Sequence, residues 1–204
     1  MLETRRDLLV IFVKNPEEGK VKTRLAADIG NKRALDVYQK LLAYTRGVVQ
    51  KLNVTKQVWY SSCIDFSDNW GEDQFIKKLQ KGDNLGERMQ EAFRQGFREG
   101  FGRILIIGSD CPALSDQHLL SAYEELECND VVLGPSQDGG YYLLGMNHYI
   151  PELFINKSWS RDSLYGETIK TLDQLHKSWG ELEELNDIDT LDDLNKSSFE
   201  IGQS

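Results

Sequence analysis

Short apolar runs, each followed by a helical pattern, recur along this chain and are the feature that most constrains its fold. Residues 8–13, 104–107 and 131–133 are runs of this kind, with no polar residue at alternate positions. A strand that is apolar at every position is buried on both faces, which is typical of a parallel sheet covered by helices. The pattern therefore predicts an α/β fold with a mostly parallel central sheet and helices on both faces.

The remaining elements follow from periodicity and capping residues. Strands are predicted at 7–13, 57–60, 104–108, 130–135 and 141–146, whereas residues 75–79 are ambiguous. Helices are predicted after the first strand, with an apolar stripe from 35 to 52, and from residue 84, after Ser115, around 164–175 and after Thr190. Because neither a repeat nor a linker interrupts the chain, we expect a single domain over residues 1–204.

Charge and composition narrow the classes of partner. The 204-residue chain has a net charge of -9, which argues against a nucleic-acid duplex as partner because duplex-binding proteins carry a basic face. No apolar run approaches the ~20 residues of a membrane span, and the N-terminus lacks the anatomy of a signal peptide. The three cysteines, Cys63, Cys111 and Cys128, have no metal-binding spacing. We therefore expect a cytoplasmic protein with reduced thiols, no nucleic-acid partner and no membrane partner.

A basic loop, residues 14–24, follows the first strand of this acidic chain. It carries three lysines and an arginine and is punctuated by Pro16 and Gly19. An ordinary solvated turn is the alternative, but lysines oppose the dipole of a helix that begins beside them, so an empty turn gains little from them. The loop therefore favours binding of a di- or triphosphate. Neither a Gly-x-Gly-x-x-Gly motif nor a Walker loop is present, which disfavours a dinucleotide-binding fold.

Acidic side chains follow later strands. Asp110 comes directly after the 104–108 strand, where a carboxylate suits a hard divalent cation, although it could equally serve only the turn before Pro112. Asp187 and Asp189 precede the last helix and are not needed to cap it, so they are candidates to complete a metal site with Asp110. Asp138 lies before Gly139 and Gly140, in a segment that could face an acceptor hydroxyl or form an ordinary turn.

Five ordered sequence blocks resemble the DUF2064 family of the nucleotide-diphospho-sugar transferase superfamily. The blocks lie at residues 14–25, 84–89, 108–114, 138–145 and 187–190. The family is described as glycosyltransferases of the arsenosugar-biosynthesis type and as radical-SAM/selenodomain-associated transferases. It is also similar to the guanylyltransferases of coenzyme F420 and molybdenum-cofactor biosynthesis. The resemblance implies a GT-A Rossmann-like fold, a nucleotide or nucleotide-sugar donor and a small-molecule acceptor.

The resemblance also assigns roles to residues. It implies that Asp110 binds Mg²⁺ or Mn²⁺ with Asp187 or Asp189 as the distal ligand. If the reaction is sugar transfer, the metal, Lys22 and Arg24 neutralise the departing diphosphate, and Asp138 is the candidate to position or deprotonate the acceptor hydroxyl. The basic loop would hold phosphates, Leu85 and Gly86 would lie against the base, and the 138–140 turn would face the acceptor. The full set of predicted nucleotide-site residues is Lys14, Gly19, Lys22, Thr23, Arg24, Leu85, Gly86, Ser109, Gly139, Gly140, Trp159 and Ser160.

Two departures from the family pattern bear on the reaction. Many GT-A glycosyltransferases carry Asp-x-Asp at the metal strand, but here Gly108 lies two residues before Asp110, and a lone aspartate is more typical of nucleotidyltransferases. Leu191 replaces a proline at the start of the last helix, where proline is favoured but not required. Sugar transfer, nucleotidyl transfer to a phosphorylated acceptor, and a non-catalytic nucleotide-binding module therefore stand as the three hypotheses. The oligomeric state is left open.

Overall fold

A computed structural model describes residues 6–159 and 161–199. Seven strands form one sheet, and six α-helices are found in the described residues. The strands are β1 (Asp7–Val13), β2 (Thr55–Tyr60), β3 (Ile76–Leu79), β4 (Arg103–Ile107), β5 (Val131–Pro135), β6 (Tyr141–Met146) and β7 (Trp179–Glu181). The helices are α1 (Thr23–Ile29), α2 (Asn31–Val49), α3 (Leu85–Arg98), α4 (Asp116–Cys128), α5 (Leu164–Gln174) and α6 (Leu191–Lys196).

The sheet has the order β3-β2-β1-β4-β6-β5-β7. Strand β6 runs antiparallel to both of its neighbours, β4 and β5, while the other pairs are parallel. The reversal has a local cause, because only residues 136–140 connect β5 to β6. A parallel crossover needs a dozen or more residues, whereas a hairpin needs only a few. The mostly parallel sheet predicted from the apolar runs is confirmed.

Both faces of the sheet are buried, as the continuous apolar runs require. In β1, Leu9 and Ile11 pack into a core with α2 and α4, while Leu8 and Val10 pack into a second core with α3 and α5. A smaller third cluster joins α1, α2 and Ile188. Helices therefore cover the sheet on both sides, and a cleft can form only where the strands end.

Several local features differ from the prediction. The helix expected after the basic loop is divided into α1 and α2 at Gly30, whose φ of 85° is unsuited to an α-helix. The ambiguous segment forms strand β3 on the sheet edge. Strand β7 and a 3-10 turn at Pro151–Phe154 were not predicted, since three or four residues are too short to show a period.

The predicted helix caps at Ser115 and Thr190 are confirmed. Each side-chain hydroxyl accepts a hydrogen bond from the amide three residues on, at His118 and Asp193 respectively. None of the helices in the described ranges is both long and apolar enough to traverse a lipid bilayer.

Candidate active site

A cleft of about 660 Å³ opens at the carboxyl ends of β1 and β4. Ligands bind at this edge in open α/β sheets, because the loops there are free to vary. The predicted residues that line the cleft are Lys14, Lys22, Thr23, Arg24, Leu85, Ser109, Asp110, Asp138, Gly140, Trp159, Asp187 and Asp189. Gly19, Gly86 and Gly139 do not line it, and Ser160 lies outside the described residues.

The centre of the cleft is an ion-pair cluster formed by Lys22, Asp110 and Asp189. The Lys22 amine donates to Asp110 Oδ2 at 2.8 Å and to Asp189 Oδ1 at 2.9 Å. Lys22 precedes α1 in the left-handed conformation, with φ 47°, and its side chain is only 5% exposed. An amine so deeply buried requires charged partners, which the two carboxylates supply. The predicted convergence of the basic loop with the acidic residues is therefore present in the structure.

The charges of this cluster shift the acidities of its members. Burial by itself lowers the pKa of Lys22, but the charges of Asp110 and Asp189 outweigh burial, so the pKa is raised above its ordinary value. Burial likewise acts to raise the pKa of Asp110, and the Lys22 charge reverses the direction and lowers it. Lys22 is accordingly protonated and Asp110 ionised at neutral pH.

Asp187 differs from its two acidic neighbours. Its Oδ1 atom is buried and accepts no hydrogen bond from the described residues. Burial, followed by the charge of Asp110, raises the pKa of Asp187 well above its ordinary value. The segment is held in place because the Ile188 amide donates to the Asp110 carbonyl at 3.1 Å and the Ile188 side chain is buried in the third core cluster. Asp187 therefore lines the cleft and carries a buried carboxylate oxygen that accepts no hydrogen bond from the described residues.

The donor chemistry of the cleft fits a divalent cation. Within residues 6–159 and 161–199, no three acidic, histidine or cysteine side chains form a ready metal-binding set, and the Lys22 amine lies between Asp110 and Asp189. Mg²⁺ does not need such a cage, since it is commonly bound by one or two carboxylates together with substrate phosphates. Asp110 and the orphaned oxygen of Asp187 meet that requirement.

Tyr38 is a structural support of the cleft that the sequence analysis did not single out. Its hydroxyl accepts from the Lys14 amide at 2.8 Å and lies 3.2 Å from Ser109 Oγ. Burial raises the pKa of Tyr38 to about 12, so the hydroxyl is neutral. The side chain thereby ties the end of β1 to the end of β4, which sets the position of Asp110. Its only sequence signal was membership of the apolar stripe of α2.

The wall formed by α3 depends on a glycine. A Cβ atom on Gly86 would lie 2.1 Å from the indole of Trp159, so only glycine lets the ring lie against the helix. The Trp159 ring also stacks on Phe154, with ring centroids 6.1 Å apart and an interplanar angle of 7°. Gly86 therefore shapes the cleft through Trp159 instead of lining it, and Leu85 presents its side chain directly.

The 136–140 turn forms another wall of the cleft. Gly139 has a φ of 82°, and a Cβ there would lie 2.1 Å from the carbonyl oxygen of Asp162. The Tyr165 amide donates to the Gly139 carbonyl, which fixes the turn against the start of α5. Asp138 is exposed, and its Oδ1 accepts from the Gly140 amide at 3.0 Å. Asp138 thus holds the turn and also lines the cleft.

The basic loop contributes unequally to the cleft. Gly19 has a φ of 76° and serves the turn of the loop. Arg24 is largely exposed and lies 3.9 Å from Asp189. Lys14 is exposed and has no carboxylate partner among the described residues. The Lys22 amine, which was expected to face phosphates, forms ion pairs with Asp110 and Asp189 in this structure.

Two arginines in the cleft were not predicted. Arg88 of α3 and Arg161, just before α5, both line it. Neither has a carboxylate partner in the part of the chain that the structure describes. Arg88 lies within the 84–89 block, so the sequence placed it on the predicted helix. The periodicity of that helix could not show that the Arg88 side chain lines the cleft.

Comparison with known proteins agrees with this architecture. The profile of a family described as "Uncharacterized protein conserved in bacteria (DUF2064)" matches residues 44–161, more than half of the chain. A candidate nucleotide-diphospho-sugar transferase from Desulfovibrio desulfuricans G20 is 29% identical with a TM-score of 0.85, and the match covers 96% of this chain and 90% of that one. No curated protein matches the chain.

Two more distant structures share the fold. The 4-diphosphocytidyl-2C-methyl-D-erythritol synthase from Anaerococcus prevotii DSM 20548 is 10% identical with a TM-score of 0.60, over 94% of this chain and 93% of that one. The inositol-1-phosphate CTP transferase from T. maritima is 15% identical with a TM-score of 0.57, over 94% and 92%. The expected superfamily and fold are confirmed, and a transferase is supported.

Proposed function

Because the chain belongs to the DUF2064 family and has the fold of nucleotide-diphospho-sugar transferases, we propose that it transfers a sugar from a nucleoside-diphosphate sugar to a small-molecule acceptor. One observation carries this proposal. Lys22, Asp110 and Asp187 come from distant parts of the chain and face the same cleft at the carboxyl edge of the sheet. Positive charge and unsatisfied carboxylate oxygens at one point are what a metal-bound diphosphate requires.

Lys22 can contact a phosphate without leaving its carboxylates. A protonated lysine has three N–H donors, and Asp110 and Asp189 accept two of them. The third donor is available to an oxygen of the diphosphate. Arg24 and Lys14 add positive charge at the same edge, which would stabilise the negative charge that develops on the departing diphosphate.

Asp110 and Asp187 are the residues that would hold Mg²⁺ or Mn²⁺. Asp189 is less suited, because its oxygens already face Lys22 and Arg24. A divalent cation bound there would neutralise phosphate charge and so favour departure of the diphosphate. The acidic residues themselves keep the Lys22 amine oriented toward the phosphate position.

Asp138 is placed to act on the acceptor. Its Oδ1 is occupied by the Gly140 amide, while Oδ2 has no partner among the described residues. Asp138 lines the cleft, and its free oxygen could accept a hydrogen bond from an acceptor hydroxyl, which would orient the hydroxyl and remove its proton. The tight contact between Gly139 and Asp162 keeps this carboxylate in position.

Nucleotidyl transfer to a phosphorylated acceptor is the second candidate function. It is favoured by Arg161, which lines the acceptor side of the cleft without an acidic partner among the described residues, and by the lone Asp110. A guanidinium is well suited to bind a phosphate on the acceptor. A non-catalytic module ranks third, because it needs neither Asp110 nor the buried oxygen of Asp187.

Thermal-shift and product assays separate these functions. The protein is screened against nucleoside-diphosphate sugars and NTPs with Mg²⁺ or with EDTA, because ligands that bind the folded state raise Tm. We expect metal-dependent stabilisation by a nucleoside-diphosphate sugar and slow release of the nucleoside diphosphate. Pyrophosphate release from an NTP would establish the second function instead. Stabilisation without turnover of either donor, tested with a panel of hydroxyl and phosphate acceptors, would support the module.

A further inference from the structure

The two ends of the cleft differ in chemistry. One end holds the charged cluster around Lys22 and Asp110, while the α3 end is lined by Phe12, Leu85 and Met89. A nucleoside diphosphate has the same asymmetry, with charged phosphates at one end and a flat, weakly polar base at the other. Leu85 is 42% exposed on this wall although it is a large apolar residue. The α3 end therefore offers the apolar surface that a nucleobase needs.

One charged side chain, Arg88, lies at this apolar end, and its position is determined by its neighbours. Its Nε donates to the Gly82 carbonyl at 2.9 Å and its Nη1 donates to Gln80 Oε1 at 3.4 Å. The Gln80 amide group donates to the carbonyls of Trp59, at 2.8 Å, and Val13. That pairing leaves Gln80 Oε1 as the atom that faces Arg88. The guanidinium is thus held in one orientation at the cleft wall.

The guanidinium has hydrogen-bonding capacity to spare. Gly82 and Gln80 use two of the five N–H donors that an arginine carries, and no carboxylate in the described ranges pairs with it. Other arginines are used structurally: Arg94 pairs with Glu91, and Arg103 pairs with Asp7. Arg88 is instead oriented by neutral groups. Its charge and its remaining N–H donors are therefore available to a ligand in the cleft.

We propose that Arg88 recognises the base of the donor nucleotide and selects a base that presents two adjacent hydrogen-bond acceptors on one edge. This inference rests on the proposed function. A planar guanidinium donates in parallel to O6 and N7 of guanine, and O2 and N3 of cytosine form a similar pair. Adenine places an amino group beside N7, and uracil places an N–H between its carbonyls, so each opposes one of the donors. The selected donor is therefore a guanine or cytosine nucleotide.

Calorimetric titration of GDP, CDP, ADP and UDP in the presence of Mg²⁺ tests the proposal. We expect GDP or CDP to bind the native protein at least about tenfold more tightly than ADP and UDP. Arg88→Ala should remove the preference, and Arg88→Lys should not restore it, because an ammonium cannot donate in a planar pair. Arg94→Ala, on the same helix but in an ion pair with Glu91, is the matched control and should keep the preference.

The outcomes separate base recognition from a merely structural role. If Arg88 only holds the loop that contains Gly82 in place, its replacement weakens the binding of all four nucleotides equally, and the proposal is overturned. A preference that survives Arg88→Ala also overturns it, while leaving the proposed function intact. If none of the four binds the native protein, the proposed function fails as well. Thermal unfolding of each variant confirms that the comparison is made between folded proteins.

Discussion

Two buried lysine–aspartate clusters in this molecule show how the same ion pair can serve structure or function. Lys22 lies in the cleft against Asp110 and Asp189, whereas Lys77 of β3 lies outside it against Asp68, with N–O distances of 2.8–2.9 Å in both places. The two lysine side chains are 5% and 2% exposed. The burial of the lysine and the ion-pair distance alone therefore do not distinguish the two clusters.

Charge balance and the hydrogen bonding of the carboxylate oxygens distinguish the two clusters. Lys77 also donates to the Asp65 carbonyl, and the two oxygens of Asp68 accept from Lys77, Tyr60 and the Trp70 amide. Both oxygens of Asp68 therefore accept hydrogen bonds, and the pair has one charge of each sign. The Lys22 cluster sets one amine against two carboxylates, with Asp187 beside them as a third whose oxygen is unsatisfied. An excess of negative charge with an unsatisfied carboxylate oxygen indicates a binding site, and a neutral cluster whose carboxylate oxygens are all hydrogen-bonded indicates a structural role.

The largest effect is expected from breaking the ion pair between Lys77 and Asp68. Lys77→Met leaves Asp68 buried without its counter-charge, which typically costs about 3–5 kcal/mol when one partner of a buried pair is removed. Urea denaturation should show a loss of this size, and turnover by the folded fraction should be unchanged. A loss below about 1 kcal/mol would show that the pair contributes no more than an exposed one.

Asp110→Asn should give the next largest effect, on activity instead of stability. The substitution keeps the shape of the side chain but removes the charge that orients Lys22 and would bind the metal. Turnover should fall by about 100- to 1,000-fold, or ~2.7–4 kcal/mol, with Tm close to that of the native protein. Asp116→Asn is the control, since Asp116 pairs with Lys51 at 3.7 Å outside the cleft. Unchanged turnover in the Asp110 variant would remove the metal-binding role.

Lys22→Met should have a smaller effect, on nucleotide binding. Removal of a charge-assisted contact to the diphosphate should weaken binding by about 1–3 kcal/mol, and the difference should shrink as salt is added. Isothermal titration of a nucleoside diphosphate at two salt concentrations measures both quantities. Lys51→Met removes an exposed lysine outside the cleft and should bind like the native protein. Equal affinities of the Lys22 variant and native protein would contradict the phosphate role.

The smallest effect is a change in how stability depends on pH. The raised pKa of Asp187 means that the folded state favours its protonated form. Its contribution to stability is therefore fully present below the ordinary pKa of an aspartate and is lost as pH rises through the raised value. In EDTA, the Tm of the native protein should fall more steeply as pH rises through this range than the Tm of the Asp187→Asn variant. Parallel Tm–pH curves for the two proteins would show that Asp187 is not destabilised by burial.

Local patterns predicted most of the fold. The apolar runs gave the buried strands, and the hydroxyls of Ser115 and Thr190 identified the starts of α4 and α6, because each signal depends on residues within one or two turns. The reversal of β6 was in principle readable from the five-residue connection before it. Strand β7 was not readable from the sequence, since its three residues form a strand only because they pair with β5.

The sequence by itself determined the α/β class, the order of the motifs and the identities of the candidate charged residues, since these depend on composition and short-range periodicity. Only the tertiary structure decided that Lys22 meets Asp110, 88 positions away, and Asp189, 167 positions away. It also decided that Arg88 faces the cleft and that Tyr38 joins two strand ends. Contacts of this kind depend on β1 lying beside β4 in the sheet. Strand order results from the packing of the whole chain, so no local sequence pattern can predict it.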